Sequence, residues 1–381
     1  MIKNERKRRK IFLNIARIVV GVLFIFSGLV KANDPLGLSF KMQEFFDVWS
    51  QNASLSFLMH WLDNYALSFS IIMITLEIIV GVALLIGWNP KFISRVLIVL
   101  IVFFTFLTGY AVLSGKIRTC GCFGDCIPIT AMGSFIKDLI LLVLIVIIFF
   151  GWKFIKPVTK PGVLAIIIIC STLIVIFFQW YVLRHLPLKD CLPFKIGNNI
   201  LEQRKMPKDA IPDKVDFIFV YQKNGKSKEF GKDKLPDSTW TFVKRQDIVI
   251  QKGSNNEPPI KDFYLNTLSG SDTTEALLNE PGNYYLFFIK NPESETAEWI
   301  NDLAAIYKAV QLKGLKLYVI ATQATEVNEL LNEKNHYNVQ VLSCDATALK
   351  TASRTDPSLY EMNGPVVKGK WGWADFQNVI K

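Results

Sequence analysis

The chain has 381 residues, 51% of them hydrophobic and 20% charged, with a mean hydropathy of +0.29 and a net charge of +10. Apolar side chains this plentiful exclude a disordered or low-complexity protein, and so few charges argue against an ordinary soluble enzyme. The excess charge suggests nucleic acid until it is located: residues 1–186 carry 18 Lys and Arg against 8 Asp and Glu, whereas residues 187–381 carry 25 of each.

Six basic residues fall between Lys3 and Lys10, giving a basic tail over residues 1–10. Five apolar runs follow, near 11–30, 66–87, 93–114, 135–151 and 161–183. About 20 apolar residues at about 1.5 Å each cross a bilayer core as a helix. The first run exceeds the ~7–15 residues of a signal-peptide core, and no small-x-small cleavage site follows it, so it reads as a membrane helix. Lys91 with Arg95, and Lys153, Lys156 and Lys160, mark the loops after the second and fourth runs. Segments 32–65 and 115–134 hold Asp34, Glu44, Asp47, Asp63 and Asp125 beside few basic residues. The positive-inside rule then places the N-terminus and both basic loops in the cytoplasm, and the other two loops and everything after residue 183 outside. Eleven of the 18 basic residues are accounted for in this way. The charge is a topology signal, and nucleic acid is not an expected partner.

Beyond residue 187 the hydropathy falls. Val215–Tyr221 alternates as a strand, and Asn224-Gly225 is a hairpin signal. Ile260–Leu265 and Tyr284–Ile289 read as strands. A helix from about Ser294 carries Trp299, Leu303, Ile306 and Val310 on one face and ends at Gly314. Strand Leu315–Ala321, helix Glu326–Asn335, strand Val339–Leu342, helix Ala346–Arg354 and two strands flanking Asn363-Gly364 complete a mixed α/β domain.

Two features carry chemistry. Thr119-Cys120-Gly121-Cys122-Phe123-Gly124-Asp125-Cys126 lies in an outside loop, where close thiols are disulfides, exchange partners or metal ligands. Gly121 and Gly124 let the backbone bend, so Cys120 with Cys122, or Cys122 with Cys126, can approach. Lys116 and Arg118 favour a thiolate at Cys120. Cys191, just past the last apolar run on the same side, is a candidate fourth partner. Structural disulfides, redox exchange and a metal site all stay open, and no metal ligand set is assigned. Cys170 and Cys344 read as buried small hydrophobes. The second feature is Glu77, mid-way along an apolar run. A carboxyl there faces the bundle interior, and Arg17 is its expected ion-pair partner. This pair reads either as a proton or quinone site or as a link that fixes the bundle.

Arg17, Gly21, Ser27-Gly28, Lys31 and Asp34-Pro35, then Glu77, Gly81 and Gly87, resemble DoxX-like membrane proteins, which are four-helix bundles. The Cys-Gly-Cys-Phe-Gly loop resembles their relative MauE, the methylamine-utilisation maturation protein. The resemblance covers roughly residues 11–155 and implies an inner-membrane protein linked to thiol redox or to maturation of exported proteins. A fifth helix over 156–186 and a soluble part depart from that pattern. Residues 258–381 resemble a thioredoxin fold: Tyr284–Ile289 matches the strand before its redox site, and Asp356-Pro357 its cis-proline. Where that fold carries Cys-x-x-Cys, this chain reads Asn291-Pro292-Glu293-Ser294-Glu295. Without a thiolate the module cannot exchange disulfides and is expected to bind, holding an extended segment beside Pro357. Residues 187–257 form a β-rich extension.

The expected fold is therefore an α-helical membrane bundle, a DoxX-like four-helix core plus a fifth helix, followed by an α/β thioredoxin-like domain. The expected function is redox-linked: Cys120, Cys122 and Cys126 handle disulfides of periplasmic or envelope clients, with quinone the one cofactor this reading admits. The alternative is a non-catalytic scaffold whose inactive thioredoxin-like module binds envelope proteins. Both place the chain in the lipid bilayer of a bacterial inner membrane, N-terminus cytoplasmic and C-terminal domain periplasmic.

Overall fold

In the computed structural model every residue is described except 1, 52–54, 116, 118–123, 125, 128, 224, 233, 252, 254, 293–295 and 381, and the side chains of 2–6, 248–249, 296–299 and 380. The expected basic tail is helical and continuous with the first apolar run, as α1 (Ile2–Ala32). Segment 32–65, expected as a loop, contains two helices, α2 (Pro35–Ser50) and α3 (Ser56–Asn64). Asp34 starts α2: its carboxylate accepts from the Gly37 amide and Pro35 takes the first helical position, where no amide hydrogen is needed. The bundle continues with α4 (Ala66–Ile86), α5 (Pro90–Ser114), α6 (Ala131–Gly151) and α7 (Pro161–His185). Five helices, all but α2 and α3, are long and apolar enough to cross a membrane.

Four of these form the core. Leu13, Ala16, Val20 and Phe24 of α1 pack on Val80, Ala83 and Leu84 of α4, Leu97 and Ile101 of α5, and Ile145 and Ile148 of α6. Glycine sets the closest approach. A Cβ on Gly81 would stand 2.9 Å from the Gly21 carbonyl oxygen, so α1 and α4 touch backbone to backbone there. At the α4–α5 turn Gly87 is left-handed (φ +71°), and a Cβ would stand 2.6 Å from the Lys156 carbonyl oxygen. Helix α7 packs on α4 from outside the four, burying only Leu164, Val175, Gln179 and Val182.

A stalk leads through α8 (Ile200–Gln203) to an antiparallel sheet, β1 (Lys214–Lys223), β2 (Lys226–Gly231) and β3 (Thr241–Gln251), in the order β2-β1-β3. Then come α9 (Thr274–Leu278), β4 (Asn283–Ile289), α10 (Thr296–Leu312), β5 (Lys316–Ala321), α11 (Ala324–Asn328) with a π-helical turn Glu329–Lys334, β6 (Gln340–Ser343), α12 (Ala346–Ala352), β7 (Ser358–Asn363), β8 (Val366–Gly372) and α13 (Gln377–Ile380). The larger sheet has the order β6-β5-β4-β7-β8, with β4, β5 and β6 parallel and β7 and β8 antiparallel.

Strand β4 is buried on both faces, which explains its unbroken apolar run. Tyr284, Leu286 and Phe288 meet Leu278 and Leu349 on one side, while Phe287 and Ile289 meet Leu303, Ile306 and Val310 on the other. Trp299, expected on the same helix face, has no described side chain. Residues 260–265 are not the strand their pattern suggests. They run irregularly across the first face, burying Ile260, Phe263 and Leu265, and the chain pairs with the sheet only at Asn266, whose amide donates to the Ser343 carbonyl at 2.9 Å. Phe194 and Ile200 fill the same core, so the stalk is packed into the domain it precedes.

Candidate functional site

Polar groups gather where the domain-bearing end of the bundle meets the soluble part. Cys126, in the loop between α5 and α6, is disulfide-bonded to Cys191 of the stalk, 65 positions further along the chain, with Cα atoms 4.8 Å apart. Cys120 and Cys122 lie outside the described residues. Beside the bond, Asn33 donates to the Lys189 carbonyl (2.9 Å) and accepts from the Lys189 amide (3.1 Å), and Lys370 of β8 pairs with Asp190. The two remaining cysteines are apart from this cluster. Cys344 is buried, and burial pushes its thiol up to about 12. Cys170, expected to be buried, is exposed on the outer surface of α7, because that helix turns most of its circumference away from the bundle.

Inside the bundle the expected partner of Glu77 is corrected. Lys31, not Arg17, donates to Glu77, at 2.7 Å with both side chains almost fully buried. Arg17 donates instead to the carbonyls of Leu84 (2.8 Å) and Leu85 (2.5 Å) in the last turn of α4. The reason is side-chain direction. Each Cα–Cβ bond leans towards its helix N-terminus, and α1 and α4 are antiparallel. Lys31 therefore leans into the bundle and Glu77 towards the domain-bearing end, so they converge; Arg17 leans the other way.

The Lys31 ammonium also lies 4.9 Å from the centre of the Phe104 ring. Two small cavities flank the pair, one of about 40 Å³ beside Met42, Met73 and Thr108 and one of about 20 Å³ beside Ser27 and Asp138. Roughly 10–15 Å³ admits one water, so these are water-sized spaces. Asp138 is buried, accepts from Thr108 (3.1 Å) and pairs with Lys137 (3.0 Å). Among the described residues no cluster of three His, Cys, Asp or Glu side chains could hold a metal.

The Asp356–Pro357 peptide bond is cis, and Pro357 is buried. The Asp356 carboxylate accepts from the amides of Lys290 (2.9 Å) and Asn291 (3.0 Å), joining the end of β4 to the start of β7. This sheet end faces the bundle. Arg354 is ion-paired with Asp34 at 2.8 Å, and Lys350 donates to Gln43 at 3.1 Å. The Lys290 ammonium, donating to the Ser353 carbonyl at 3.1 Å, is pushed down to about 8 by burial, with Asp356 opposing the shift. Lys31, Asp138, Lys290, Arg354 and Phe40 escaped the reading of the sequence as site residues. Only Lys31 left a usable signal, as a lysine in the last turn of an apolar helix antiparallel to the one carrying Glu77.

Five membrane-length helices with charges buried among them, and a folded sheet domain at one end, define an integral membrane protein with a substantial extramembrane part. Residues 9–153, the membrane part up to the end of α6, match the model of the family described as methylamine utilisation protein MauE. Residues 215–252, the small sheet, match a family described as a domain of unknown function, DUF8463. No curated protein and no solved structure matches the chain.

Proposed function

We propose that the protein handles thiols and disulfides at the outer face of a bacterial inner membrane and supports the maturation of exported proteins. The observation that carries this reading is the Cys126–Cys191 bond, which ties the cysteine loop to the stalk four residues beyond Cys122. In this reading the Cys122 thiolate attacks the Cys126 sulfur, and the Cys191 thiolate leaves and takes up a proton. Cys120, giving up its proton, then displaces Cys126. The dithiol and the disulfide have exchanged, with no external redox agent consumed. A client disulfide reoxidises Cys126 and Cys191 and is itself reduced, or a membrane quinone takes the two electrons and two protons and leaves as quinol. Lys31 and Glu77, beside water-sized cavities, are suited to hold those protons.

The soluble part, on this reading, is a thioredoxin-like module that binds and does not exchange. Its strand order supports the likeness, and its chain has no cysteine between Asn291 and Glu295. Trapping tests the whole scheme. With Cys120→Ser the exchange stops at Cys122–Cys126, so the freed Cys191 thiol has no resolving partner and is expected to accumulate mixed disulfides with exported proteins. Cys120 and Cys122 thiols that neither form adducts nor change state with respiration would reduce the cysteines to fixed staples and leave the scaffold reading.

A further inference from the structure

The end of the soluble domain that carries Pro357 is not open. Ser353, Arg354, Thr355 and Pro357 are all buried, although they lie at the rim of the sheet. The corner between α1 and α2 covers them. Asp34 supplies a carboxylate to Arg354, and Phe40, six residues on, supplies a ring. Three cations of the soluble domain face that ring: Lys350 at 5.3 Å from its centre, Arg354 at 5.4 Å and Lys290 at 5.9 Å. Arg354 also donates to the Lys350 carbonyl (2.6 Å), which draws the cationic groups of α12 and its following turn together.

Three positive groups in one recess repel one another. The negative face of an aromatic ring and two carboxylates, Asp34 of the corner and the domain's own Asp356, relieve that repulsion in a way an aliphatic contact could not. A simple adhesive seam needs no such arrangement, because apolar residues of matching shape serve as well or better than buried charges. The recess therefore has the chemistry of a recognition site, already filled.

We propose that the Lys290–Lys350–Arg354 recess recognises a segment bearing a carboxylate followed by an aromatic ring, that the Asp34–Phe40 corner occupies it as an internal ligand, and that a client segment of the same chemistry enters by displacing that corner. This deepens the reading of the soluble domain as a binding module and rests on it. The recess adjoins Pro357, so an entering segment lies along the sheet end formed by β4 and β7. The soluble domain stays tethered while the recess exchanges occupants. Cys126–Cys191 holds the stalk, and His185 with Asp375 (2.9 Å) holds the end of α7 to the turn after β8.

The test uses the full chain in lipid nanodiscs and a fluorescent synthetic peptide with the sequence of residues 33–44. Phe40→Ala empties half of the internal ligand, so the peptide is expected to bind this variant about tenfold more tightly than the intact chain, in line with one desolvated cation–π contact. Adding Arg354→Gln should abolish the gain. Equal binding to the intact chain and to Phe40→Ala, or binding that survives Arg354→Gln, overturns the proposal. Phe40→Leu, which keeps an apolar side chain without a ring, guards against a folding defect and is expected to give a gain of the same sign. None of these variants touches a cysteine, so failure here and failure of the trapping experiment are separate results.

Discussion

The bundle and the soluble domain both bury apolar side chains but differ in the polar groups they enclose and in what they expose. The bundle keeps Lys31, Glu77, Asp138, Thr108 and Gln179 inside and turns Val99, Phe106, Leu113 and Leu173 outward. The soluble domain fills its interior with Tyr284 to Ile289 of β4 and places its lysines on the surface and at the seam. Each arrangement suits its solvent. Water rewards apolar burial at roughly 25 cal/mol per Å², whereas lipid rewards none, so in a bilayer small residues and paired polar groups hold helices together. A side chain's value in this chain thus depends on which half it occupies.

The largest expected effects test that division. Glu77→Leu leaves the Lys31 ammonium buried without its partner and should cost about 3–5 kcal/mol, whereas Lys31→Met combined with Glu77→Leu should recover most of it. Thermal unfolding of the full chain in detergent reads both. A double variant as unstable as the single one would mean that the pair's hydrogen bonds, and not the stranded charge, set the cost. In the soluble domain, Phe287→Ala should cost about 3–5 kcal/mol by leaving a cavity. Phe106→Ala, on the lipid-facing side of α5, should change stability by less than about 0.5 kcal/mol. Similar losses for the two phenylalanines would erase the contrast.

The bond between the halves comes next. Cys126 and Cys191, 65 positions apart, close a loop. The chain-entropy relation puts its contribution at about 4 kcal/mol, with about 2–4 kcal/mol usual in practice. Cys191→Ser should therefore lower the unfolding temperature, and strong reductant should lower that of the unaltered chain to the same point. A reductant-insensitive chain would show that the noncovalent seam already fixes the two halves.

The two halves also differed in how much their sequence disclosed. Membrane spans were legible because a run of 20 apolar residues has few other meanings, β4 and β5 because a strand buried on both faces is apolar without a break, and β7 and β8 because Asn363-Gly364 marks the hairpin between them. Helix α2 was not, since a window tuned to hydropathy passes over an amphipathic helix, although Asp34-Pro35 marks its start. Residues 260–265 carry a strand's composition but spend their apolar groups covering a sheet face. Glu77 was visible as a buried charge, yet its partner depended on Cβ direction, which residue counting ignores. The Phe40 recess joins residues about 250 to 310 positions apart and had no local signature.

The smallest effect concerns Lys290, whose value is displaced downward. An ordinary lysine titrates near 10.4; burial, opposed by Asp356 and Asp34 and helped by Arg354 and Lys350, brings Lys290 to about 8. Between about pH 8 and 10.4 the unfolded chain still holds a proton that the folded chain has released. The unfolded state then binds more protons, so this residue's contribution to stability rises with pH across that window; below pH 8 both states are charged and the burial cost is felt in full. Lys290→Met removes the titration. Its advantage in unfolding temperature over the unaltered chain should be greatest below pH 8 and should shrink steadily as the pH rises towards 10.4. A difference independent of pH would mean that the lysine is not held down at all.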